Sequence, residues 1–307
     1  MLPFYVTILG SSSAMPTPAR FTTSQVINLN DRLFLVDCGE AAQIQMRRFG
    51  IKIGKINHIF ISHLHGDHIF GLPGLISSMT MSGKKGELHI YAHSDLQIIL
   101  STLMRFMNEN VDFKVIYHPL NLRRHAVLFE DEKIRIESFP LKHRVPCCGF
   151  IFREQPQELH LRSDKIEELN ISIKDRVLIK QGWDFTLPDG STIPNKELTI
   201  PPAKPRSYAF CTDTVIREQI IPFIEDADLL YHEATFGHNL KGLALLTYHS
   251  TAKQAAQLAF KAKAGKLIIG HFSTRYKDIN ELVDEAREVF PNTFAVNDGE
   301  RFDIREC

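Results

Sequence analysis

Short apolar runs with strand-like character recur along this chain of 307 residues, and segments with helical spacing lie between many of them. The pattern predicts strands at residues 4–9, 25–29, 32–37, 56–61, 88–92, 113–117, 126–130, 133–139, 207–212, 228–231 and 266–269. It predicts helices at residues 39–49, 69–80, 94–108, 163–169, from a Ser250-Thr251 cap to about 263, and from Asp278 onward. This alternation favours an α/β protein.

The composition and the hydrophobic periodicity of the chain change between about residues 153 and 204. Prolines and mixed charges are frequent there, and only residues 163–169 are predicted to be helical, with Ser163 as the N-cap. Long irregular stretches in a compact domain are typically functional loops or appendages. We therefore expect residues 153–204 to be an insertion in the surrounding fold.

Composition excludes several classes of protein. Hydrophobic content of 44% and charged content of 23% are ordinary for a globular protein with a sizeable core. Lys plus Arg equals Asp plus Glu, at 36 each, which argues against a non-specific nucleic-acid binder. A nuclease with a local basic patch remains compatible with this balance.

Cysteine usage and the first residues bear on location. The five cysteines include no C-x-x-C pair, which is typical of reduced thiols in a cytosolic protein: Cys38, Cys147, Cys148, Cys211 and Cys307. Residues 1–10 have the pattern of a first strand and lack the basic segment of a signal peptide. No apolar run reaches the length of a membrane span. We expect a cytoplasmic protein without a membrane partner.

The highest density of potential metal ligands is in His63-Leu64-His65-Gly66-Asp67-His68, directly after the predicted strand at 56–61. Three imidazoles and one carboxylate in six residues suit zinc or iron better than calcium or magnesium. His63 and His65 alternate as on an extended segment, so both side chains can point the same way. Asp67 and His68 follow as the backbone turns and can reach a second ion.

This stretch carries a family resemblance. The run Ser62-His63-Leu64-His65-Gly66-Asp67-His68 resembles the signature of the metallo-β-lactamase fold superfamily, and Gly71-Leu72-Pro73-Gly74-Leu75 is similar to the short-form tRNase Z family. The resemblance spans residues about 5–305. It implies a four-layer αββα sandwich formed by one domain over residues 1–307. It also implies an endonuclease that removes the 3′ trailer of precursor tRNA, leaving a 3′-OH on the tRNA and a 5′-phosphate on the trailer.

The resemblance implies further metal ligands at positions that follow predicted strands. Taken alone, each of these residues is more often a turn residue or a helix cap. The family pattern continues with Asp213-Thr214 and Gly270-His271-Phe272-Ser273-Thr274-Arg275-Tyr276. It implies two zinc ions per chain, one held by His63, His65 and His143, the other by Asp67, His68 and His271, with Asp213 bridging both. Asp37 resembles the family's carboxylate that supports a ligand imidazole.

Two further motifs, His232-Glu233-Ala234-Thr235 and His249-Ser250-Thr251, resemble tRNase Z rather than the superfamily at large. A hydroxide held by the two zinc ions is the expected nucleophile. The predicted catalytic residues are Asp67, His249 and Glu233. His249 is expected to protonate the leaving O3′, and Glu233 to keep His249 charged and oriented.

Two segments depart from the family pattern. In the family the insertion at 153–204 is a flexible arm that binds tRNA across a homodimer, and Lys174, Arg176 and Lys180 form a modest basic cluster here. Ile173–Arg176 stands where the family has a Gly-Pro motif, so the sequence does not identify which residues of the arm contact tRNA. The loop Pro16–Phe21 lacks the Lys and Asn of the family's CCA-sensing loop, which leaves the handling of CCA-bearing precursors open.

Three rival hypotheses remain at this level. The same fold suits a hydrolase of esters, thioesters or sulfates, which needs no arm. A metal-free nucleic-acid scaffold is a second rival, although the complete ligand set argues against it. A redox di-iron centre is the third, and the low number of carboxylates disfavours it. The basic residues Arg47, Arg48, Lys52 and Lys55 are either a phosphate-facing patch or, more commonly, a solvated helix face.

Overall fold

The computed structural model of the protein describes residues 2–107 and 111–305. Contacts divide the chain into two compact units. The first consists of Met1–Glu130, Ile134–Arg153 and Arg206–Cys307, and the second of Asp131–Lys133 and Glu154–Pro205. Cys307, one of the five cysteines, lies outside the described residues. No helix in the described part of the chain is both long and apolar enough to cross a membrane.

The chain up to the second unit alternates strands and helices. In order these are β1 (Phe4–Gly10), β2 (Ser24–Leu29), β3 (Arg32–Cys38), α1 (Ala42–Arg48), β4 (Ile56–Phe60), α2 (Gly66–Ile69), α3 (Leu72–Met81), β5 (Glu87–Ala92), α4 (Asp95–Met107), β6 (Lys114–Pro119), β7 (Ala126–Glu130), β8 (Ile134–Pro140) and β9 (Cys148–Glu154). A short 3₁₀ helix, Ile53–Lys55, precedes β4. The helix predicted at 69–80 is confirmed as α3, which begins at Leu72. Helix α2, which ends at Ile69, and strand β9 were not predicted.

The second unit has its own small hydrophobic core. Its elements are β10 (His160–Leu161), α5 (Ser163–Glu168), α6 (Ile173–Lys180), β11 (Phe185–Thr186), β12 (Thr192–Ile193), α7 (Asn195–Leu198) and β13 (Thr199–Ile200). Four buried side chains form the core: Ile166, Ile171, Ile179 and Leu198. The helix predicted at 163–169 is confirmed as α5, but the predicted cap is wrong. Arg162 is the N-cap residue and makes no side-chain cap, and Ser163 is already helical.

The rest of the first unit completes its second sheet. Its elements are β14 (Ser207–Cys211), α8 (Ile221–Ile224), β15 (Leu229–Glu233), α9 (Lys241–Thr247), α10 (Ala252–Lys261), β16 (Lys266–Gly270), α11 (Asn280–Arg287), β17 (Thr293–Ala295) and β18 (Arg301–Asp303). The cap predicted for α10 is confirmed, because the Thr251 side chain accepts from the Gln254 amide in a reciprocal capping box. The helix predicted from Asp278 onward is α11, but its N-cap residue is Ile279 rather than Asp278.

The first unit contains two seven-stranded sheets. Their strand orders are β18-β1-β2-β3-β4-β5-β6 and β17-β16-β15-β14-β9-β8-β7. Aromatic rings pack between the sheets, with Phe34 and Phe152 centroids 6.0 Å apart and Phe60 and Phe150 centroids 5.6 Å apart. Such ring pairs contribute about 0.5–1.5 kcal/mol each beyond their buried area.

Helices cover the outer face of each sheet. Met46 of α1, Leu75 of α3 and Leu100 of α4 pack in the apolar cluster on the first sheet. Leu258 of α10 and Leu282 of α11 lie in the cluster that includes the second sheet. Helix, sheet, sheet and helix layers confirm the predicted αββα sandwich.

The strand order brings the candidate site residues to one edge of the second sheet. The strands β14, β15 and β16 are parallel neighbours, with Cys211 opposite His232 and Glu233 opposite Gly270. Their carboxyl ends therefore meet at one edge of the second sheet, where Asp213, Glu233 and His271 follow or end the strands. Strand β4 of the first sheet ends just before His63.

Candidate metal centre

The predicted ligands come together from four stretches of the chain in the first unit. His63 lies in the loop after β4 and is fully buried, as is His68 within α2. His65 is the N-cap residue of α2, and Asp67 belongs to its first turn. His143 follows β8, Asp213 follows β14, and His271 follows β16. All seven predicted ligand residues lie in this one region of the unit.

The first set of donor atoms surrounds one oxygen of Asp213. Nε2 of His63 lies 3.0 Å from Nδ1 of His65, and Nε2 of His143 lies 3.2 Å from the same Nδ1. The Nε2 atoms of His63 and His143 each lie 3.7 Å from Oδ2 of Asp213. Three nitrogens and one oxygen thus form a compact four-atom group.

The second set surrounds the other oxygen of Asp213. Nε2 of His271 lies 3.1 Å and Nε2 of His68 lies 3.3 Å from Oδ1 of Asp213. Oδ2 of Asp67 lies 3.6 Å from Nε2 of His271 and 3.5 Å from Nε2 of His68. The two oxygens of one buried carboxylate therefore each belong to a different donor set.

These separations fit metal ions better than internal hydrogen bonds. Four ligands held tetrahedrally at about 2.0–2.1 Å from an ion lie about 3.3 Å from one another. Among the described residues, Nε2 of His68 and Nε2 of His271 are buried and make no hydrogen bond, although each points toward carboxylates. Buried polar atoms without partners are rare in folded proteins and demand an explanation. A cation bound in the set that contains His68, His271 and Asp67 satisfies both atoms.

The hydrogen bonds behind the imidazoles fix the nitrogen that faces the site. The Ser62 hydroxyl donates to Oδ2 of Asp37 at 2.8 Å, so it must accept from Nδ1–H of His63 at 3.0 Å. Nδ1–H of His68 donates to Oδ2 of Asp37 at 2.7 Å. Both rings therefore present an Nε2 lone pair to the metal centre, and Asp37 occupies the supporting position that the resemblance implied.

The remaining two Nε2 ligands are held in the same way. Nδ1–H of His143 donates to the Tyr248 carbonyl at 3.0 Å. The Thr235 hydroxyl donates to Oε2 of Glu233 at 2.7 Å, so it accepts from Nδ1–H of His271 at 3.0 Å. In these four imidazoles the partner of Nδ1 therefore leaves Nε2 as the nitrogen that faces the donor sets.

The charge balance of the cluster attracts cations. Burial and the neighbouring His68 lower the pKa of His63 well below its usual value, so this ring stays neutral. Burial opposes the charged form of Asp213, but nearby His271 and His68 hold its pKa well below the ordinary range. For His68, the carboxylates of Asp213, Asp67 and Asp37 outweigh burial and raise the pKa. The buried carboxylates stay ionised and favour positive charge at the centre.

Left-handed backbone conformations cluster at this site. Ala14, Asp37, Tyr248 and His271 have φ values of 57°, 53°, 62° and 59°. Each contributes a group to the centre: the Ala14 amide donates to Oδ2 of Asp67 at 2.9 Å, and the other three supply the carboxylate, carbonyl and imidazole described above. Such conformations cost about 1–3 kcal/mol each in residues other than glycine. The fold holds this strain where it positions metal ligands.

The other two predicted catalytic residues, His249 and Glu233, lie beside the donor sets. Nδ1 of His249 contacts Oε1 of Glu233 at 3.0 Å. The Glu233 carboxylate also accepts from the backbone amides of Thr214, Ser250 and Thr235, at 3.0, 3.1 and 3.1 Å. Burial opposes its charge, but His249 lowers the pKa of Glu233. In turn burial disfavours the imidazolium, yet Glu233 raises the pKa of His249 to about 9.

His249 is also within reach of the second donor set. Its ring centroid lies 5.4 Å from that of His271 and 5.1 Å from that of His143. Asp213, His249 and His271 form a third group with metal-ligand spacing. The geometry alone therefore permits His249 to be a ligand or an acid, and the hydrogen bond to Glu233 favours the acid.

The centre opens into a cleft of about 320 Å³. His65, Asp67, His143 and His271 line it together with His249, Arg144, Phe236 and Ser273. The guanidinium of Arg275 lies 5.0 Å from the centroid of the Phe236 ring. A polar group that approaches the donor sets from solvent therefore passes a cationic and aromatic rim.

The basic residues expected to contact nucleic acid have different settings. In the second unit, Nε of Arg176 donates to the Ile171 carbonyl at 2.9 Å, and Lys180 lies 3.7 Å from Glu158. Lys174 is exposed and makes no side-chain hydrogen bond or ion pair with the described residues. Trp183, which the sequence analysis overlooked, has 64% of its surface exposed in the same unit.

Sequence reasoning missed most of the residues that orient the ligands. Thr235 and Ser62 belong to motifs named above, but the sequence analysis assigned them no role. For Thr235, the available signal was its hydroxyl two residues after the predicted catalytic Glu233. Ala14 and Tyr248 act through backbone atoms, so no side-chain pattern could identify them.

Comparisons with known proteins show which proteins this chain is similar to. Residues 4–174 match the family model described as anti-Pycsar protein Apyc1. The ribonuclease Z of Parabacteroides distasonis is 43% identical over 304 residues, covering 99% of this chain and 100% of that protein. The ribonuclease Z of Phocaeicola vulgatus is 46% identical over 293 residues, covering 95% of each.

Solved structures give the same picture. The short form of human tRNase Z superposes with a TM-score of 0.72 at 25% identity and covers 98% of this chain and 100% of its own. The metallo-β-lactamase fold protein YhfI from Bacillus subtilis has a TM-score of 0.68 at 22% identity, covering 98% and 99%, and supports the fold alone.

Proposed function

Because this chain belongs to the ribonuclease Z family, and over residues 4–174 to the family of the Apyc1 model, we propose that the seven-ligand cluster is its catalytic centre. The protein is an endoribonuclease that removes the 3′ trailer from precursor tRNA. The observation that carries the assignment of the centre is the carboxylate of Asp213, whose two oxygens each complete a separate donor set.

The centre holds two zinc ions in this proposal. Imidazole nitrogens and carboxylate oxygens in four-atom groups are zinc ligands. His63, His65 and His143 would hold one ion, Asp67, His68 and His271 would hold the other, and Asp213 would offer one oxygen to each. When bound, the ions acidify a water molecule and neutralise charge on the scissile phosphate.

The protein's own residues complete the reaction. Asp67, fixed by the Ala14 amide, keeps its carboxylate directed at the centre. His249 donates a proton to the ribose O3′ as the phosphorus–oxygen bond breaks, and Glu233 keeps that imidazole charged and oriented. The tRNA leaves with a 3′-OH, and the trailer leaves with a 5′-phosphate.

The second unit is the arm that binds tRNA. Exposed Lys174 supplies a cation for a phosphate, and exposed Trp183 offers a ring on which a base stacks. Arg176 and Lys180 are engaged within the arm and contribute less to tRNA binding.

The protein acts as a homodimer in the cytoplasm. Helix α4 carries a second apolar stripe, and Ile99, Leu103 and Phe106 are exposed by 44%, 37% and 78%. Exposed apolar patches of this kind support association with a second copy. The four described cysteines are free thiols, which supports a reducing compartment. Replacing Leu103 and Phe106 by Glu should yield monomers in light scattering; an unchanged dimer places the interface elsewhere.

End mapping tests the reaction. The zinc-loaded protein is incubated with a precursor tRNA that carries a 3′ trailer, and both product ends are determined. A single cut after the discriminator nucleotide, with a 3′-OH and a 5′-phosphate, is expected. No cut with both ions bound would favour the rival hydrolysis of small esters.

A further inference from the structure

We propose that a second cavity of the first unit, remote from the metal centre, binds a nucleoside phosphate. The cavity has a volume of about 580 Å³ and is bounded by Tyr5, Phe49, Lys52, Lys55 and Arg301. That volume is within the 300–1,000 Å³ typical of small-ligand sites. The inference goes beyond the proposed reaction and does not depend on the metal centre.

The cavity lies on the helix side of the first sheet. Tyr5 and Thr7 of β1 line it, and they alternate with Val6 and Ile8, which belong to the core. The catalytic centre is reached beyond the opposite end of the same strand, past Gly10. The five residue-to-residue steps from Tyr5 to Gly10 alone span about 17 Å of extended chain. One mononucleotide cannot occupy both places.

Arg301 offers a planar surface for a base. Its guanidinium lies 3.5 Å from the centroid of the Tyr5 ring, and its Nε donates to Oδ1 of Asp303 at 3.2 Å. The Tyr5 hydroxyl accepts from Nδ2 of Asn28 at 3.0 Å, so the ring beneath is fixed as well. Half of the Arg301 side chain, 51%, is exposed. A guanidinium plane held in this way is a known stacking surface for nucleobases.

Phe49 supplies a second aromatic surface. A Cβ on Gly299 would lie 2.4 Å from its ring, so the absence of a side chain at Gly299 lets the ring pack against the backbone. Both residues line the cavity. A base that enters therefore meets two flat groups, Phe49 and Arg301, whose positions are set by their neighbours.

Two lysines give the site its preference for phosphate. Lys52 and Lys55 line the cavity, and neither side chain has an ion pair or hydrogen bond with the described residues. Arg301 is already paired with Asp303, so the two lysines carry the unpaired positive charge of the lining, and Asp31 is its single acidic residue. An apolar ligand would leave these charges without a partner, so a flat ring joined to a phosphate fits the lining best.

The test compares nucleotide binding and RNA cleavage in the zinc-loaded protein. Titration calorimetry measures adenosine 5′-monophosphate, ribose 5-phosphate and inorganic phosphate against wild type and Lys52→Ala/Lys55→Ala. Lys85→Ala, an exposed lysine elsewhere, is the control. Arg301→Lys keeps the charge but removes the planar surface. Kinetics on precursor tRNA use the same variants, and thermal melting checks folding.

The double variant is expected to weaken adenosine 5′-monophosphate binding at least tenfold, with Lys85→Ala unchanged. Arg301→Lys should weaken adenosine 5′-monophosphate but not ribose 5-phosphate. An unchanged KM for precursor tRNA then assigns the site to free nucleotides. A KM raised at least tenfold at constant kcat assigns it to a nucleotide within the RNA. Unchanged nucleotide binding together with unchanged KM in every variant overturns the proposal.

Discussion

The side chains of Glu233 and His249 are joined by a hydrogen bond of 3.0 Å between Oε1 and Nδ1. Glu233 is fully buried, whereas 15% of the His249 side chain reaches the solvent of the cleft. The buried carboxylate accepts from backbone amides on both sides, so it cannot move with its partner. This arrangement holds a charged imidazole at the edge of the metal centre.

His249→Ala tests whether that imidazole acts as an acid or as a ligand. We expect both ions to remain bound and turnover of precursor tRNA to fall by about 10²–10⁴-fold, the usual contribution of a general acid. Elemental analysis of the same sample measures the ions per chain. Loss of one ion in this variant would instead make His249 a ligand of the second set.

Glu233→Gln tests the electrostatic coupling. The pKa of His249 is raised to about 9 by Glu233, so the protonated acid persists at low and neutral pH and disappears as pH rises through that pKa. Removing the negative charge lowers the pKa of His249. The alkaline limb of the kcat profile should therefore move to lower pH. A limb at the same pH in both proteins contradicts the coupling.

Asp37→Asn tests the support behind His68. Asparagine tolerates the left-handed backbone at this position, so the change removes the charge rather than the fold. We expect zinc affinity to fall about 10–100-fold in competition with a chelator. Asp226→Asn, at another left-handed aspartate outside the site, is the matched control and should bind zinc as the wild type does.

Lys174→Ala and Trp183→Ala test the arm. Both side chains are exposed, so neither change should disturb the small core of the second unit. We expect KM for precursor tRNA to rise while hydrolysis of bis(p-nitrophenyl) phosphate stays unchanged. A parallel loss of both activities would show that these residues serve the catalytic centre or the fold.

The sequence predicted local structure where one pattern dominated. Thr251 and the apolar spacing after it identified α10, and the run before His63 identified β4. Helix α6 was missed because its apolar residues lie on both sides: Ile179 is buried, whereas Ile173 and Val177 are exposed by 78% and 51%. Such a helix has no amphipathic period to detect.

The site residues likewise fall into those that a local pattern predicted and those that it did not. The donors in residues 63–68 were evident from spacing, because they are neighbours in the chain. The approach of His143, Asp213 and His271 depends on strand order in the second sheet. Their positions after predicted strands were a weak signal, and the family resemblance made them the expected ligands. The hydrogen bonds from Thr235 and from the Tyr248 carbonyl depend on backbone geometry and emerged only from the structure.

The most direct test of the central claim, that Asp213 joins two separate ion sites, is the number of ions per chain measured by native mass spectrometry. We expect two zinc ions in the wild type, one in His143→Ala, one in His271→Ala, and weakened binding of both in Asp213→Ala. The ion retained in His143→Ala should be lost when His271→Ala is added. A single ion in the wild type, or Asp213→Ala that still binds two ions tightly, would contradict the account.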